Sequence, residues 1–263
     1  MTILDEIVAY KREQVKELSR RQALALPAQR PDPARDFAGA LAGPGLQVIA
    51  EIKQRSPSRG AIRTGIDPAD LARQYQAAGA AAISVLTDEK YFGGSLEQLQ
   101  AVRAAVDLPV LRKDFIIDPY QVHESAAAGA DAILLIADCL DEAELAELYE
   151  LAGALGLQVL VEGYSDHSLA AVRRLAPRVA GINSRNLATM EVDLAGMLQR
   201  RALLPKDAIA VAESGIASAD DLRAVALAGF DAALIGTTLL LKGDPGDNLK
   251  ALLAGRPIPE QAA

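Results

Sequence analysis

The chain has no tryptophan, one cysteine, two histidines and only 4% aromatic residues among 263. A single cysteine, Cys139, excludes an internal disulfide and suits a reducing cytoplasm. It follows an apolar run, where a packed thiol is expected rather than a nucleophile. His123 and His167 lie far from any Cys or Asp/Glu cluster at ligand spacing, so no metal site is expected. No apolar run approaches the ~18 residues that a membrane-spanning helix needs. The opening stretch MTILDEIVAYKREQVKEL lacks the basic-then-apolar order of a secretory leader. Basic residues number 27 against 35 acidic, a net charge of −8, which disfavours general binding to nucleic acid or to a membrane surface. A small anion in a locally basic pocket remains compatible with that balance. No G-x-G-x-x-G follows the first strand-like segment, so a dinucleotide is not expected.

What is present begins with a helix. Ile3, Leu4, Ile7, Val8, Val15 and Leu18 fall near helical spacing, with Thr2 and Asp5 placed as a capping box. Further along, three stretches resemble one another: AAGAAAISVLTDE from 77, AAGADAILLIADC from 127 and LAGFDAALIGTTL from 227. Each reads as a helix end, a glycine (Gly79, Gly129, Gly229) for a left-handed stop, then an apolar β-rich run. Eight strands are expected, at 46–53, 82–88, 109–115, 132–137, 158–163, 179–185, 208–214 and 232–238, with helical stretches between them. Such alternation means βα units and a parallel sheet. Eight units predict an α/β fold: a single (β/α)8 (TIM) barrel domain over 1–263, with 1–45 as an extra N-terminal helical segment. An open doubly wound sheet is the rival, but it usually carries fewer units.

Chemistry in a (β/α)8 barrel sits at the C-terminal strand ends and the loops that follow. The unusual polar residues of this chain fall there: Glu51 and Lys53 in AEIKQRSPSRG, Lys113 in LRKDF, Glu162 in VLVEG, Asn183 and Arg185 in GINSRN, Glu213 and Ser214 in VAESG. Glu51 and Lys53, two apart on a strand, share a face. Charges aimed together into an interior are costly unless paired or used. Alternate strands share an interior layer, so Lys53, Lys113 and Glu162 are expected to converge. One strand-end charge alone is often just a solvated or salt-bridged residue; so many at one end point to a functional centre. The turns at Ser214-Gly215 and Gly236-Thr237 expose backbone N–H groups where this fold binds phosphate, and Ser56 and Ser58 can add hydroxyls. The segment QRSPSRGAIRTG is the candidate lid.

AEIKQRSPSRG, ISVLTDEKYFGGS, PVLRKDFIIDPYQV, AGADAILLIA, GINSRNL, AESGI and IGTTL together resemble the indole-3-glycerol phosphate synthase family of tryptophan biosynthesis. The resemblance implies a cofactor-free ring closure of 1-(2-carboxyphenylamino)-1-deoxyribulose 5-phosphate, with loss of carbon dioxide and water. Carried over, Lys113 would be the acid and Lys53 would bind the substrate carboxylate and assist hydroxide loss. Glu162 and Glu51 would manage protons, and Asn183 would hold the reacting groups. Arg185 would be a second carboxylate contact, and Glu213 a substrate contact. Ser56, Ser214, Gly215, Gly236 and Thr237 would cradle the phosphate, while Phe92, Phe115, Leu134 and Leu187 would line the aromatic slot. The implied partner is this small phosphorylated aromatic-sugar substrate. A monomer or weak homo-oligomer is expected, with other tryptophan-pathway enzymes as further candidate partners.

Three positions depart from the family's usual pattern: Gly163-Tyr164 after Glu162, Arg59 for a common lysine, and Ser184 for a frequent asparagine. The first bears on how Glu162 is placed. Phosphoribosyl anthranilate isomerase is the nearest rival, but its Cys and Asp pair has no counterpart, since VIAEIK holds no cysteine. A Schiff-base aldolase would want a strand-end lysine such as Lys113 or Lys53. A non-catalytic phosphate-binding barrel would tolerate loss of Lys53, Lys113 or Glu162, and none is lost.

Overall fold

A computed structural model describes residues 2–22, 30, 32–57, 60–63, 65–241 and 243–255. Eight parallel strands close into a barrel: β1 (Gln47–Ile52), β2 (Ala82–Leu86), β3 (Val110–Lys113), β4 (Ala132–Ile136), β5 (Gln158–Gly163), β6 (Val179–Asn183), β7 (Ile209–Glu213) and β8 (Ala232–Ile235). Each pairs with its neighbours in sequence, and β1 closes the ring against β8. The strands are buried on both faces, as the continuous apolar runs require when helices cover the outside. At the three repeated glycines φ is +95° at Gly79, +81° at Gly129 and +84° at Gly229, the left-handed stop read from the sequence.

Two apolar layers result. Val48, Val85, Ile133, Val161 and Ile182 pack outward against the helices. Ile49, Leu111, Leu134, Leu160 and Val211 fill the barrel interior. The pairing of Glu51 with Ser84 and of Leu134 with Leu160 keeps alternate residues on the inner face. Toward the C-terminal strand ends that inner face changes from aliphatic to charged, as Glu51, Lys113, Glu162, Asn183 and Glu213 take over.

The N-terminal segment reaches both ends of the barrel. Helix α1 (Ile3–Gln22) starts with the expected box, since Thr2 N donates to Asp5 Oδ2 at 2.8 Å and Asp5 N to Thr2 Oγ1 at 3.2 Å. Its residues Leu4 and Ile7 face the cavity at the C-terminal strand ends. Helix α2 (Phe37–Leu41) is capped by Asp36 and closes the opposite end; Ala38 N donates to the side chain of Gln158, the first residue of β5. No helix among the described residues is long and apolar enough to cross a membrane.

Several expected strands end earlier than read. β6 stops at Asn183, leaving Arg185 in a single bridge to Val192, and β8 gives way to a helical turn, Thr237–Leu240. β7 stops at Glu213, because Ser214 (φ +66°) and Gly215 (φ +75°) turn the chain left-handed. Lys53, Arg185 and Ser214 are therefore loop residues just beyond the ladders, and Thr237 opens the helical turn. After β1, within the lid candidate, Arg55–Ser56 pairs antiparallel with Gly60–Ala61.

Candidate active site

Every described candidate residue read from the sequence lines one cavity of about 390 Å³ at the C-terminal strand ends. Ser58, and with it Arg59 and Thr64 of the lid candidate, lies outside the described residues.

The floor carries two lysine–carboxylate couples. Lys53 Nζ stands 2.6 Å from Glu51 Oε1. Lys113 Nζ stands 3.4 Å from Glu162 Oε2 and 3.7 Å from Glu213 Oε2. The expected convergence therefore holds for Lys113 and Glu162, whereas Lys53 pairs on its own strand. Asn183 Nδ2 donates to Glu162 Oε1 at 2.9 Å, so Glu162 is held from two sides.

Strand glycines make room for these carboxyls. A Cβ on Gly181 would lie 2.5 Å from Glu213 Oε1, and one on Gly236 would collide with Glu51 Oε1. The chain thus uses absent side chains on β6, and just after β8, to seat carboxyls from β7 and β1.

Electrostatics sort the groups into roles. Burial alone would discharge Lys113, but Glu162, Glu213 and Glu51 outweigh it and raise its pKa, so it is an ammonium at neutral pH. Burial would also raise Glu51, yet Lys53, Lys113 and Arg185 hold it below the ordinary carboxylate value. Glu213 behaves oppositely. Burial, then the charge of Glu162, pushes it well above the ordinary range. Neither of its oxygens has a hydrogen-bond donor among the described residues. Glu213 is thus biased toward its neutral form, which suits a proton donor more than a proton acceptor.

Around this floor lie two unlike walls. Phe92, Phe115, Leu134 and Leu187 form an apolar slot, with the Phe92 and Phe115 rings 6.2 Å apart and tilted by 35°. Opposite, Ser56 and the turns at Ser214-Gly215 and Gly236-Thr237 form a polar rim. Thr238 Oγ1 donates to Ile216 O at 2.6 Å and ties the last two turns together. Arg185 reaches the cavity from the β6 loop while its Nη1 donates to Met190 O at 2.8 Å.

The departure after Glu162 puts neither Gly163 nor Tyr164 in the cavity lining. Tyr164 N donates to Asp138 Oδ2 at 2.8 Å, Tyr164 O accepts from Arg200 at 2.6 Å, and the Arg200 guanidinium lies 5.2 Å from its ring centre. Tyr164 is drawn outward, and Glu162 keeps both its partners. Cys139 packs at the edge of the inner core, and burial, with help from Glu162 and Asp138, raises its pKa, as expected for an inert thiol.

Some cavity residues were not singled out from the sequence: Leu4 and Ile7 of α1, Asp88 after β2, and Asp114 next to Lys113. For α1 a signal existed. Lys11 falls on the same stripe as Ile7 and Val15, four residues from each, and a charge there needs a partner. Among the described residues no group of histidine, cysteine and carboxylates could hold a metal.

The chain matches the family described as indole-3-glycerol phosphate synthase over residues 4–252. It is 46% identical over 258 residues to "Indole-3-glycerol phosphate synthase" of Rhodopirellula baltica, covering 97% of this chain and 100% of that protein. The protein of the same name from Kineococcus radiotolerans is 45% identical over 267 residues, covering 98% and 97%. Among solved structures, thiamine phosphate pyrophosphorylase from Pyrococcus furiosus is similar in fold, with TM-score 0.60, 16% identity, and 84% and 97% of the two chains covered. A mutant tryptophan synthase α-subunit from the same organism gives TM-score 0.58 at 11% identity, covering 80% and 98%. At these identities the two structures speak for the barrel alone.

Proposed function

The chain belongs to the indole-3-glycerol phosphate synthase family, and on that premise we propose that it closes the indole ring of 1-(2-carboxyphenylamino)-1-deoxyribulose 5-phosphate, as a carboxy-lyase without a cofactor. The ring carbon bearing the carboxylate attacks the ketone, whose oxygen takes a proton. Loss of carbon dioxide restores the aromatic ring. The new hydroxyl then leaves as water while the adjacent methylene loses a proton, giving indole-3-glycerol phosphate.

One observation carries the reading: the Lys113 amine stands 3.4 Å from a Glu162 carboxyl oxygen, between an apolar slot and a polar rim. Lys113 is the acid for the first step, with Glu162, steadied by Asn183, as its proton partner. The second couple, Lys53 with Glu51, serves water loss: Lys53 holds the substrate carboxylate at first and later faces the departing hydroxyl, and Glu51 takes the methylene proton. Arg185 adds its planar donors to the carboxylate. Glu213, whose burial favours its neutral form, donates a hydrogen bond to the substrate when protonated. The slot lined by Phe92, Phe115, Leu134 and Leu187 takes the benzene ring, and Ser56, Ser214, Gly215, Gly236 and Thr237 take the phosphate. The reading places the enzyme in the cytoplasm as a monomer or weak homo-oligomer.

The absence of tryptophan makes the test direct. The purified protein is mixed with the substrate in the presence of a chelator, and indole fluorescence is followed beyond tyrosine excitation. A steady rise is expected. A flat trace with tight binding would mean an inactive binding barrel, and a flat trace without binding would mean the wrong substrate.

A further inference from the structure

Lys11 is an anomaly of α1. It is 3% exposed, as deeply buried as Ile7 (2%) and Val15 (3%) on the same stripe. A fourth aliphatic residue would have packed there without a desolvation penalty, and buried ion pairs are often no more stabilising than the apolar groups that could replace them. Stability alone gives no reason to prefer a charge over an aliphatic residue here, and its partners supply one.

Lys11 Nζ lies 2.8 Å from Asp88 Oδ2 and 2.9 Å from Asp114 Oδ1. Asp88 uses its other oxygen to accept from Tyr91 N at 2.7 Å, capping the one-turn helix Glu89–Phe92 whose last residue is a ring of the apolar slot. Asp114 accepts from Phe115 N at 2.8 Å and from Thr87 Oγ1 at 2.7 Å, and it pairs with Arg112 at 3.1 Å. Phe115 is the second ring of the slot. The ammonium thus joins the two backbone segments that deliver Phe92 and Phe115, and it does so from the helix that delivers Leu4 and Ile7 to the same cavity.

An outer layer covers this contact. Lys90 Nζ lies 4.1 Å from the Tyr10 ring centre and 4.8 Å from that of Tyr91. Tyr91 Oη donates to Glu6 Oε1 at 3.0 Å. The aromatic and cationic contacts of Tyr10, Lys90 and Tyr91 hold α1 against the turn 89–92 on its solvent side, while Lys11 does so inside.

We infer that Lys11 is a positioning residue that sets the width of the slot for the substrate's aromatic ring, by fixing α1, the turn 89–92 and the start of the β3 loop to one another. The inference rests on the ring-closing reading above. It implies that Lys11 never touches the reacting atoms, yet governs which rings fit against the Phe92 and Phe115 pair in the slot they line with Leu134 and Leu187.

The test compares Lys11→Met with Lys11→Arg and the wild-type enzyme, well below their melting temperatures. Each is assayed with the unsubstituted substrate and with one carrying an extra ring methyl. Pocket contacts of about one methylene are worth roughly 10–200-fold in selectivity. For Lys11→Met the expected outcome is a KM about 10-fold higher, kcat within about threefold, and loss of most of the discrimination against the methylated ring. Lys11→Arg, which keeps the charge, should retain more of that discrimination. A merely structural lysine would lower the melting temperature and leave KM and the selectivity ratio unchanged, and that result overturns the inference. Should Lys11→Met fail to fold, Asp88→Asn, which keeps an oxygen for Tyr91 N and removes the charge that Lys11 meets, reads the same split. An unchanged ratio there is equally adverse. If the wild-type enzyme forms no indole product, the ring-closing reading itself has failed; if it turns over and the ratio does not move, only the role of Lys11 has.

Discussion

Replacing Gly181 by alanine tests how closely the carboxyl set must be placed, through a residue outside the substrate contacts assigned above. A Cβ at this position would lie 2.5 Å from Glu213 Oε1 and 3.2 Å from Leu160 Cδ1. Carbon–oxygen contacts settle near ~3.3 Å, so the Glu213 carboxyl must retreat by roughly 1 Å. It is fully enclosed, with Lys113 at 3.7 Å, so the movement is passed to the acid rather than absorbed by solvent. Misplacement by ~1 Å costs on the order of 10²-fold in rate. Overpacking of this kind costs about 1–3 kcal/mol in stability, well short of unfolding most domains. In a protein of this size that corresponds to a fall of roughly 2–10 °C in Tm. The assay is kcat by indole fluorescence beside a thermal melt. A folded Gly181→Ala protein with such a melt and a kcat within about twofold of wild type would mean that the position of the Glu213 carboxyl is irrelevant to turnover.

Three further outcomes are expected. Lys113→Met should lower kcat by about 10²–10⁴-fold while binding of a ketone-reduced analogue largely survives; equal loss of both, by calorimetry and kinetics, would make Lys113 a binding group. Ser214 is held at φ +66°, a conformation costing about 1–2 kcal/mol for a residue with a side chain. Ser214→Gly should therefore keep or raise Tm while KM rises for want of the hydroxyl, and an unchanged KM would remove Ser214 from the phosphate site. Asp114, despite burial, is held far below the ordinary carboxylate range by Lys11 and Arg112. A depressed folded value means its stabilisation is present above the unfolded value of about 3.9 and is lost as pH falls below it. Urea midpoints of Asp114→Asn should thus be lower at neutral pH and fall less steeply in acid than those of wild type; parallel curves would contradict the pairing.

The barrel was legible because its strands are short apolar runs punctuated by left-handed glycines, a local pattern that needs no knowledge of contacts. The charged floor was legible for a related reason. Glu51, Lys53, Lys113, Glu162 and Glu213 break otherwise apolar strand ends, where a charge is conspicuous. What stayed hidden depends on where α1 lies in space. Leu4 and Ile7 look like ordinary stripe residues, and nothing local says that the stripe faces the mouth of the barrel. Asp114 was masked by alternation, since its neighbour Lys113 points into the barrel and the side chain of Asp114 turns to Arg112 and Lys11. Lys11 alone was recoverable, as a charge on an apolar stripe. Gly163-Tyr164 misled in the other direction: the sequence cast doubt on Glu162, and the turn of Tyr164 toward Asp138 and Arg200 explains why it need not.

In the proposed mechanism the Lys113–Glu162 couple serves ring closure and the Lys53–Glu51 couple serves water loss. Single-turnover experiments with enzyme in excess, following carbon dioxide release and indole fluorescence in parallel, separate the two steps. In Lys53→Met, carbon dioxide should appear well before indole, because closure proceeds and dehydration stalls; in Lys113→Met both should slow together. Equal slowing of the two signals in Lys53→Met, or normal carbon dioxide release in Lys113→Met, would contradict the division.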